Sequence, residues 1–121
     1  MTPLLFVYGT LKRGCSNHAQ MNGQTFVAPA RTAPGYALYD LGGYPAIAAD
    51  SEDRNGVVVE VWSVDEKALI RLDHFEGVHE GLYRREPIAL QPPFANQRID
   101  AYVSVLPVVA RPRVGPEWIE R

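Results

Sequence analysis

The segment "VVVEVWSVDEKALIRLDHFEG", Val57 to Gly77, limits the folds open to this chain more than any other stretch. Its β-branched run packs well on a pleated sheet, and it passes directly into the one sustained helical pattern of the sequence. Ser63-Val64-Asp65-Glu66 matches the S-x-x-E capping box, so a helix is predicted over 65–76 with Gly77 as its stop. Elsewhere the apolar residues come in short bursts bounded by turn formers. Leu4 to Tyr8, Gly35 to Tyr39, Tyr44 to Ala49, Leu82 to Leu90 and Arg98 to Leu106 each read as a strand, the last two joined by a Pro92-Pro93 loop. Asp50 to Gly56, "DSEDRNG", ends in Asn-Gly and predicts a hairpin turn before Val57. Asn17 to Pro34 reads as irregular, and the tail from Pro107 receives no element.

Many strands and a single helix predict an α+β fold, a twisted and mainly antiparallel sheet or small barrel with the helix packed against it. Without a βαβα alternation, a doubly wound nucleotide-binding fold is excluded. At 121 residues the chain fits one domain, 1–121, which at this size buries about two-thirds of the surface its unfolded chain exposes. A net charge of −2 with scattered cations gives no basis for binding nucleic acid, which relies on clustered Lys and Arg. Cys15 is the single cysteine, so no intramolecular disulfide forms and a reducing, cytoplasmic location is expected. "MTPLLFVYGT" lacks the marks of a signal peptide, and no apolar run approaches the roughly 20 residues that cross a bilayer. Neither export nor membrane insertion is expected.

On the predicted helix, at about 100° per residue, Ala68, Leu69, Leu72 and Phe75 share one face, with Glu66, Lys67, Arg71 and His74 opposite. Glu76 falls within the apolar face, and Asp73 lies at its border. A carboxylate directed at a core is costly unless it is hydrogen-bonded or opens into a cavity, and desolvation raises its pKa toward the range of a general base. The alternative is that Glu76, in the last turn, bends to solvent or accepts from backbone N–H groups beyond the helix.

The opening "FVYGTLKRG" combines a strand with Gly9-x4-Gly14, but Cys15 and Ser16 stand where a phosphate-binding loop continues with Lys and Ser or Thr. Successive backbone N–H groups of such a loop still suit a carboxylate or oxyanion. Cys15 as a nucleophile has only His18 nearby in sequence, and packing is the simpler role. His74 and His79 lack H-E-x-x-H spacing, no metal site or cofactor motif is present, and the G-x-S-x-G elbow is absent. Glu60 interrupts the strand at Val57 to Trp62 and is expected on its solvent side.

Taken together, "VYGTLKRG" with Asn17 and His18, "GYPAI" followed by "GVVVEVW", and "LDHFEGVHEGLYRRE" resemble the gamma-glutamylcyclotransferase-like family, which includes gamma-glutamylamine cyclotransferase and AIG2-like proteins. The resemblance runs from about Leu4 to Leu106, with no counterpart for the tail. It implies a small, mixed, mainly antiparallel β-barrel with a cavity at its mouth. It implies an enzyme that cyclises a gamma-glutamyl group to 5-oxoproline and frees the attached amine, with a small gamma-glutamyl molecule as partner and no cofactor. Tyr8, Gly9, Thr10 and Leu11 match the loop that holds the glutamyl moiety, Glu76 the catalytic acid/base, and Tyr83 an aromatic position near the pocket. A non-catalytic module binding a metabolite in the same pocket is the second reading.

Overall fold

The structure, a computed structural model, describes residues 3–120. Met1, Thr2 and Arg121, the ends of the expected domain 1–121, lie outside the described residues. Strands β1 (Leu4–Val7), β2 (Thr25–Arg31), β3 (Tyr36–Asp40), β4 (Pro45–Ala49) and β5 (Val58–Ser63) precede helix α1 (Glu66–Glu76), and β6 (Tyr83–Pro87) and β7 (Asp100–Ser104) follow it. Five strands form one sheet in the order β2-β5-β1-β7-β6, while β3 and β4 form a separate two-stranded hairpin. All pairings are antiparallel except β1 with β7. The fold is therefore α+β with a mixed, mainly antiparallel sheet.

β1 is central because both of its faces are apolar. Phe6 and Tyr8 turn to one core with Val59, Val61, Leu38, Ile47 and Ile99; Leu5 and Val7 turn to the other with Trp62, Ala68, Leu69 and Leu72 of the helix side. A strand covered on both faces reads as a continuous apolar run, which is why "LLFVY" shows no alternation.

The chain just past the two edge strands meets at one corner. Thr32 and Leu90 form an isolated bridge, with Ala33 N–H donating to Ala89 O at 2.9 Å and Gln91 N–H to Arg31 O at 2.9 Å. This is a single bridge and not a ladder, so among the described residues the sheet curls toward closure and does not form the closed barrel that was expected.

Several local expectations are corrected. The helix cap is Asp65, whose side chain accepts from Ala68 N–H at 2.8 Å, while Ser63 ends β5. Asp at this position satisfies an orphan donor as well as Ser does. Asn55-Gly56 closes no hairpin, because β4 pairs with β3 and β5 pairs with β1 and β2. Asp53 instead organises this loop, accepting from the N–H groups of Gly35 and Gly56; the Gly35 bond foremost, with the others, outweighs desolvation and holds its carboxyl down to about 2. β2 lies within the stretch expected to be irregular; its Pro29 sits on an edge strand, where the missing donor is tolerated. The tail is ordered against the body: Val114 N–H donates to Leu38 O at 2.9 Å, Val58 N–H donates to Pro116 O at 2.8 Å, and Trp118 is buried in the core. Among the described residues no helix is long and apolar enough to cross a membrane.

Candidate active site

β1 leaves the sheet at Val7 and delivers the loop that begins with Tyr8. Burial, above all, keeps the Tyr8 phenol neutral, and its hydroxyl donates to the backbone oxygen of Tyr102, fixing the loop to β7. At Gly9 a Cβ would lie 2.4 Å from Pro45 Cγ, so glycine is what lets the loop rest on the first residue of β4. The loop then folds back on itself. Lys12 N–H donates to Gly9 O at 3.1 Å, Asn17 N–H to Thr10 O at 2.9 Å, and the Asn17 side-chain amide to Thr10 Oγ1 at 3.0 Å. Among the described residues, the N–H groups of Gly9, Thr10 and Leu11 donate to no protein acceptor. Gly9 and Leu11 are buried and Thr10 half-buried, and buried backbone donors are rarely left unmatched, so this row is suited to an incoming anion or carbonyl oxygen.

Helix α1 supplies the opposite wall. Ala68, Leu69 and Leu72 seat it on the sheet, and Gly77 ends it in the left-handed region at φ 75°, with its N–H returned to Asp73 O and His74 O. A Cβ at Gly77 would come 2.7 Å from Leu82 Cδ1, so the close turn also needs glycine for space. Glu76, the last residue of α1, neither turns to solvent nor binds the backbone that follows. It is half-buried without an ion pair or hydrogen bond among the described residues, and desolvation pushes its carboxyl up to about 7. Phe75, expected in the core, is instead 41% exposed beside it.

Three residues earlier, Asp73 meets the opposite fate. Burial pulls its pKa upward, but hydrogen bonds from Arg85 and Tyr102 outweigh that and hold the carboxyl below its usual range. Arg85 Nε lies 2.9 Å from Asp73 Oδ1 and its Nη1 2.9 Å from Asp100 Oδ2, while the Tyr102 hydroxyl donates to Asp73 Oδ1 at 2.7 Å. One ionised and one protonatable carboxylate thus sit a turn apart on the same helix.

Loop and helix enclose a cavity of about 350 Å³. Tyr8, Gly9, Thr10, Leu11, Glu76 and Tyr83, the residues singled out from the sequence, all line it. Tyr83 reaches Pro45 O through its hydroxyl at 3.4 Å, and burial raises its pKa. Sequence reasoning misses Ser16, Asn17, Gly43, Tyr44, Pro45, Phe75, Leu82 and Tyr102 in the lining. The pair Gly42-Gly43 is a visible signal: both have positive φ, and Asp40 Oδ1 accepts both their N–H groups at 2.8 Å, which bends Tyr44 and Pro45 toward the cavity.

The remaining candidates serve the scaffold. Burial pushes the Cys15 thiol up, away from the thiolate that nucleophilic attack needs. His18 places Nδ1 2.9 Å from Leu11 O and packs its ring on Trp62. His74 and His79 lie ring to ring at 5.0 Å, and no group of three or more metal-ligating side chains occurs among the described residues. Glu60, expected toward solvent, is mostly covered. It accepts from Arg13 N–H at 3.0 Å and from Trp62 Nε1 at 3.2 Å, and pairs with Arg13 Nε at 3.2 Å, tying the loop to β5. Lys12, which carries no signal of a role in the sequence, is only 6% exposed and donates to Trp118 O at 2.7 Å.

Residues 5–119 match the family described as gamma-glutamyl cyclotransferase, AIG2-like. The chain belongs to that family. The match includes most of the tail, for which the sequence resemblance has no counterpart. A Vibrio cholerae gamma-glutamylcyclotransferase-family protein is 41% identical over 102 residues, covering 84% of each chain. Human gamma-glutamylaminecyclotransferase is 33% identical over 132 residues, covering 97% of this chain and 84% of its own. The solved structure of a mouse AIG2-like protein superposes with a TM-score of 0.81 at 25% identity, covering 95% of this chain and 87% of that one. As a member of the gamma-glutamyl cyclotransferase family, the protein is an enzyme of that type.

Proposed function

We propose that this cyclotransferase converts a gamma-glutamyl amine or small gamma-glutamyl peptide to 5-oxoproline and the free amine, with Glu76 as general acid and base. The observation that carries the reading is the pairing of a protonatable carboxylate, at about 7, with a row of free backbone N–H groups in one cavity.

The substrate's α-amine is normally an ammonium and must lose a proton before it attacks. Glu76 accepts that proton. The amine nitrogen then forms a bond to the γ-carbonyl carbon, closing a five-membered ring, and the carbonyl oxygen takes up negative charge. Donors already aimed at that position stabilise the charge without reorganising, an effect worth about 3 kcal/mol per donor in other acyl transfers. As the amide C–N bond breaks, Glu76 returns its proton to the departing amine. Both reacting groups belong to one molecule, so the cavity needs only to hold the glutamyl chain curled, and proximity supplies much of the acceleration. Tyr8, Gly9, Thr10 and Leu11 form the cradle, and Tyr83 covers it. No separate nucleophile is required by this chemistry.

The test is incubation with gamma-glutamyl amines and dipeptides, assayed for 5-oxoproline, alongside Glu76→Gln. Turnover that falls by a factor of about 10² to 10⁴ in the variant supports the assignment, the usual range for loss of a positioned acid/base. Undiminished turnover removes Glu76 from the mechanism.

A further inference from the structure

Glu76 has no partner of its own among the described residues, so its place in the cavity is set by the turn of helix that carries it. Asp73 holds that turn twice. Its backbone oxygen accepts from the N–H groups of Gly77 and, at 3.0 Å, Val78, closing the helix end directly behind Glu76. Its side chain lies one turn before Glu76, on the neighbouring position of the helix surface, and reaches the sheet. Oδ1 accepts from Arg85 Nε at 2.9 Å and from the Tyr102 hydroxyl at 2.7 Å, and Oδ2 accepts from Arg85 Nη2 at 3.3 Å. Arg85 and Tyr102 are register partners on β6 and β7. Arg85 also donates through Nη1 to Asp100, two residues before Tyr102 on β7. Asp73 thus meets both strands at one point.

Tyr102 carries the link onward. It lines the same cavity as Glu76, and its backbone oxygen accepts from the hydroxyl of Tyr8, the first residue of the site loop. A path of hydrogen bonds, Tyr8 to Tyr102 to Asp73, therefore joins the cradle to the turn that bears the acid. Attachment of the helix does not require it, because Ala68, Leu69 and Leu72 already form an apolar seat. A covered ionic cluster is seldom a net gain in stability over apolar side chains of similar size. What directed hydrogen bonds add is a fixed position, and a misplacement of about 1 Å costs an enzyme up to about 10²-fold in rate.

We propose that Asp73 is a positioning residue for the cyclisation: through Arg85 and Tyr102 it fixes the separation between Glu76 and the cradle of Tyr8 to Leu11. The inference rests on the cyclisation reading and adds to it a residue that does not itself line the cavity. The cradle holds the glutamyl chain whether or not the helix end is pinned. Loosening the link therefore leaves substrate binding and loses the alignment of Glu76 with the attacking amine. Tyr102→Phe keeps the ring in the cavity wall and the backbone oxygen that Tyr8 uses, and deletes only the hydroxyl. Asp73→Asn keeps the size of the side chain and removes the charge that Arg85 and Tyr102 share.

The test measures kcat and KM for 5-oxoproline release in wild type, Tyr102→Phe, Asp73→Asn and the double variant. The substrate is whichever gamma-glutamyl amine or dipeptide the wild type uses best, and urea unfolding gives the folded fraction of each protein at the assay temperature. Each single variant is expected to lose kcat per folded molecule by about tenfold or more, with KM within about twofold of wild type. The double variant should lose no more than Asp73→Asn alone, because both substitutions break one link. A purely structural role predicts fewer folded molecules, each turning over at the wild-type rate. That result, a raised KM with unchanged kcat, or losses that multiply in the double variant overturns the positioning inference and leaves the cyclisation intact. No 5-oxoproline from the wild type with any of these substrates overturns the cyclisation reading and this inference with it.

Discussion

At the scale of single residues, the two acids of α1 show how environment sets role. Asp73 stays ionised because Arg85 and Tyr102 compensate its burial, whereas Glu76 has no such partner and is raised to about 7. The sign of the linkage follows. A carboxyl whose folded pKa exceeds its unfolded value of 4.5 binds more protons folded than unfolded between about 4.5 and 7, so stability falls as pH rises through that window and levels off above it. Glu76→Gln should abolish that slope, and urea unfolding at pH 4.5 and pH 8 should show the variant gaining relative to wild type at the higher pH. Equal differences at both pH values would place Glu76 in water. Gly9 is the other residue with no substitute. Gly9→Ala forces a methyl group into Pro45, and overpacking of this kind costs about 1–3 kcal/mol; a lower midpoint in thermal unfolding, with raised KM, is the expected result.

Among the elements, α1 has the least tolerance, because it carries Glu76 and, beyond its apolar seat, one charged cluster ties it to β6 and β7. Arg85→Ala leaves Asp73 and Asp100 without their shared partner. Losing hydrogen bonds to charged groups costs about 2 kcal/mol, so chemical denaturation should show a loss of that order. Restoration of the wild-type midpoint by Arg85→Met would contradict an ionic role. α1 is also the most legible element in the sequence, since helical phase alone puts Glu76 on the apolar face. Its cap is ambiguous because Ser63 and Asp65 both suit the position, and only the length of β5 decides between them. Phe75 is misleading for a related reason: helical phase gives a direction, and whether that direction holds core or cavity depends on what faces it. β2 is hidden because Pro29 and its polar neighbours suit a loop as well as an edge strand. The residues of the site loop are legible as a unit, but Pro45 and Tyr44 join them through a separate hairpin, a contact that carries no local signal.

Over the whole molecule, the tail packs against the site loop. Lys12 donates to Trp118 O across 106 residues of sequence, and Ser16, a cavity residue, donates through its N–H to Glu120 Oε1 at 2.8 Å and through its hydroxyl to Glu120 Oε2 at 3.1 Å. The tail is therefore the outer brace of the loop whose inner face forms the cavity. Contacts of such long range have no sequence periodicity, which explains why neither the tail nor Lys12 stands out in the sequence. Trp118→Ala should cost about 3 kcal/mol, as truncating a buried tryptophan does. Glu120→Gln should leave thermal unfolding nearly unchanged while raising KM more than it lowers kcat, since it loosens the cradle and leaves Glu76 in place. A loss confined to kcat would contradict the brace.

Whether one desolvated carboxylate opposite a backbone cradle performs the cyclisation is read from the pH dependence of kcat/KM for 5-oxoproline release. Wild-type activity should rise with an inflection near 7, where Glu76 becomes able to accept a proton, and Glu76→Gln should lose the activity at every pH. A Glu76→Gln protein with the wild-type rate and the same inflection would contradict it.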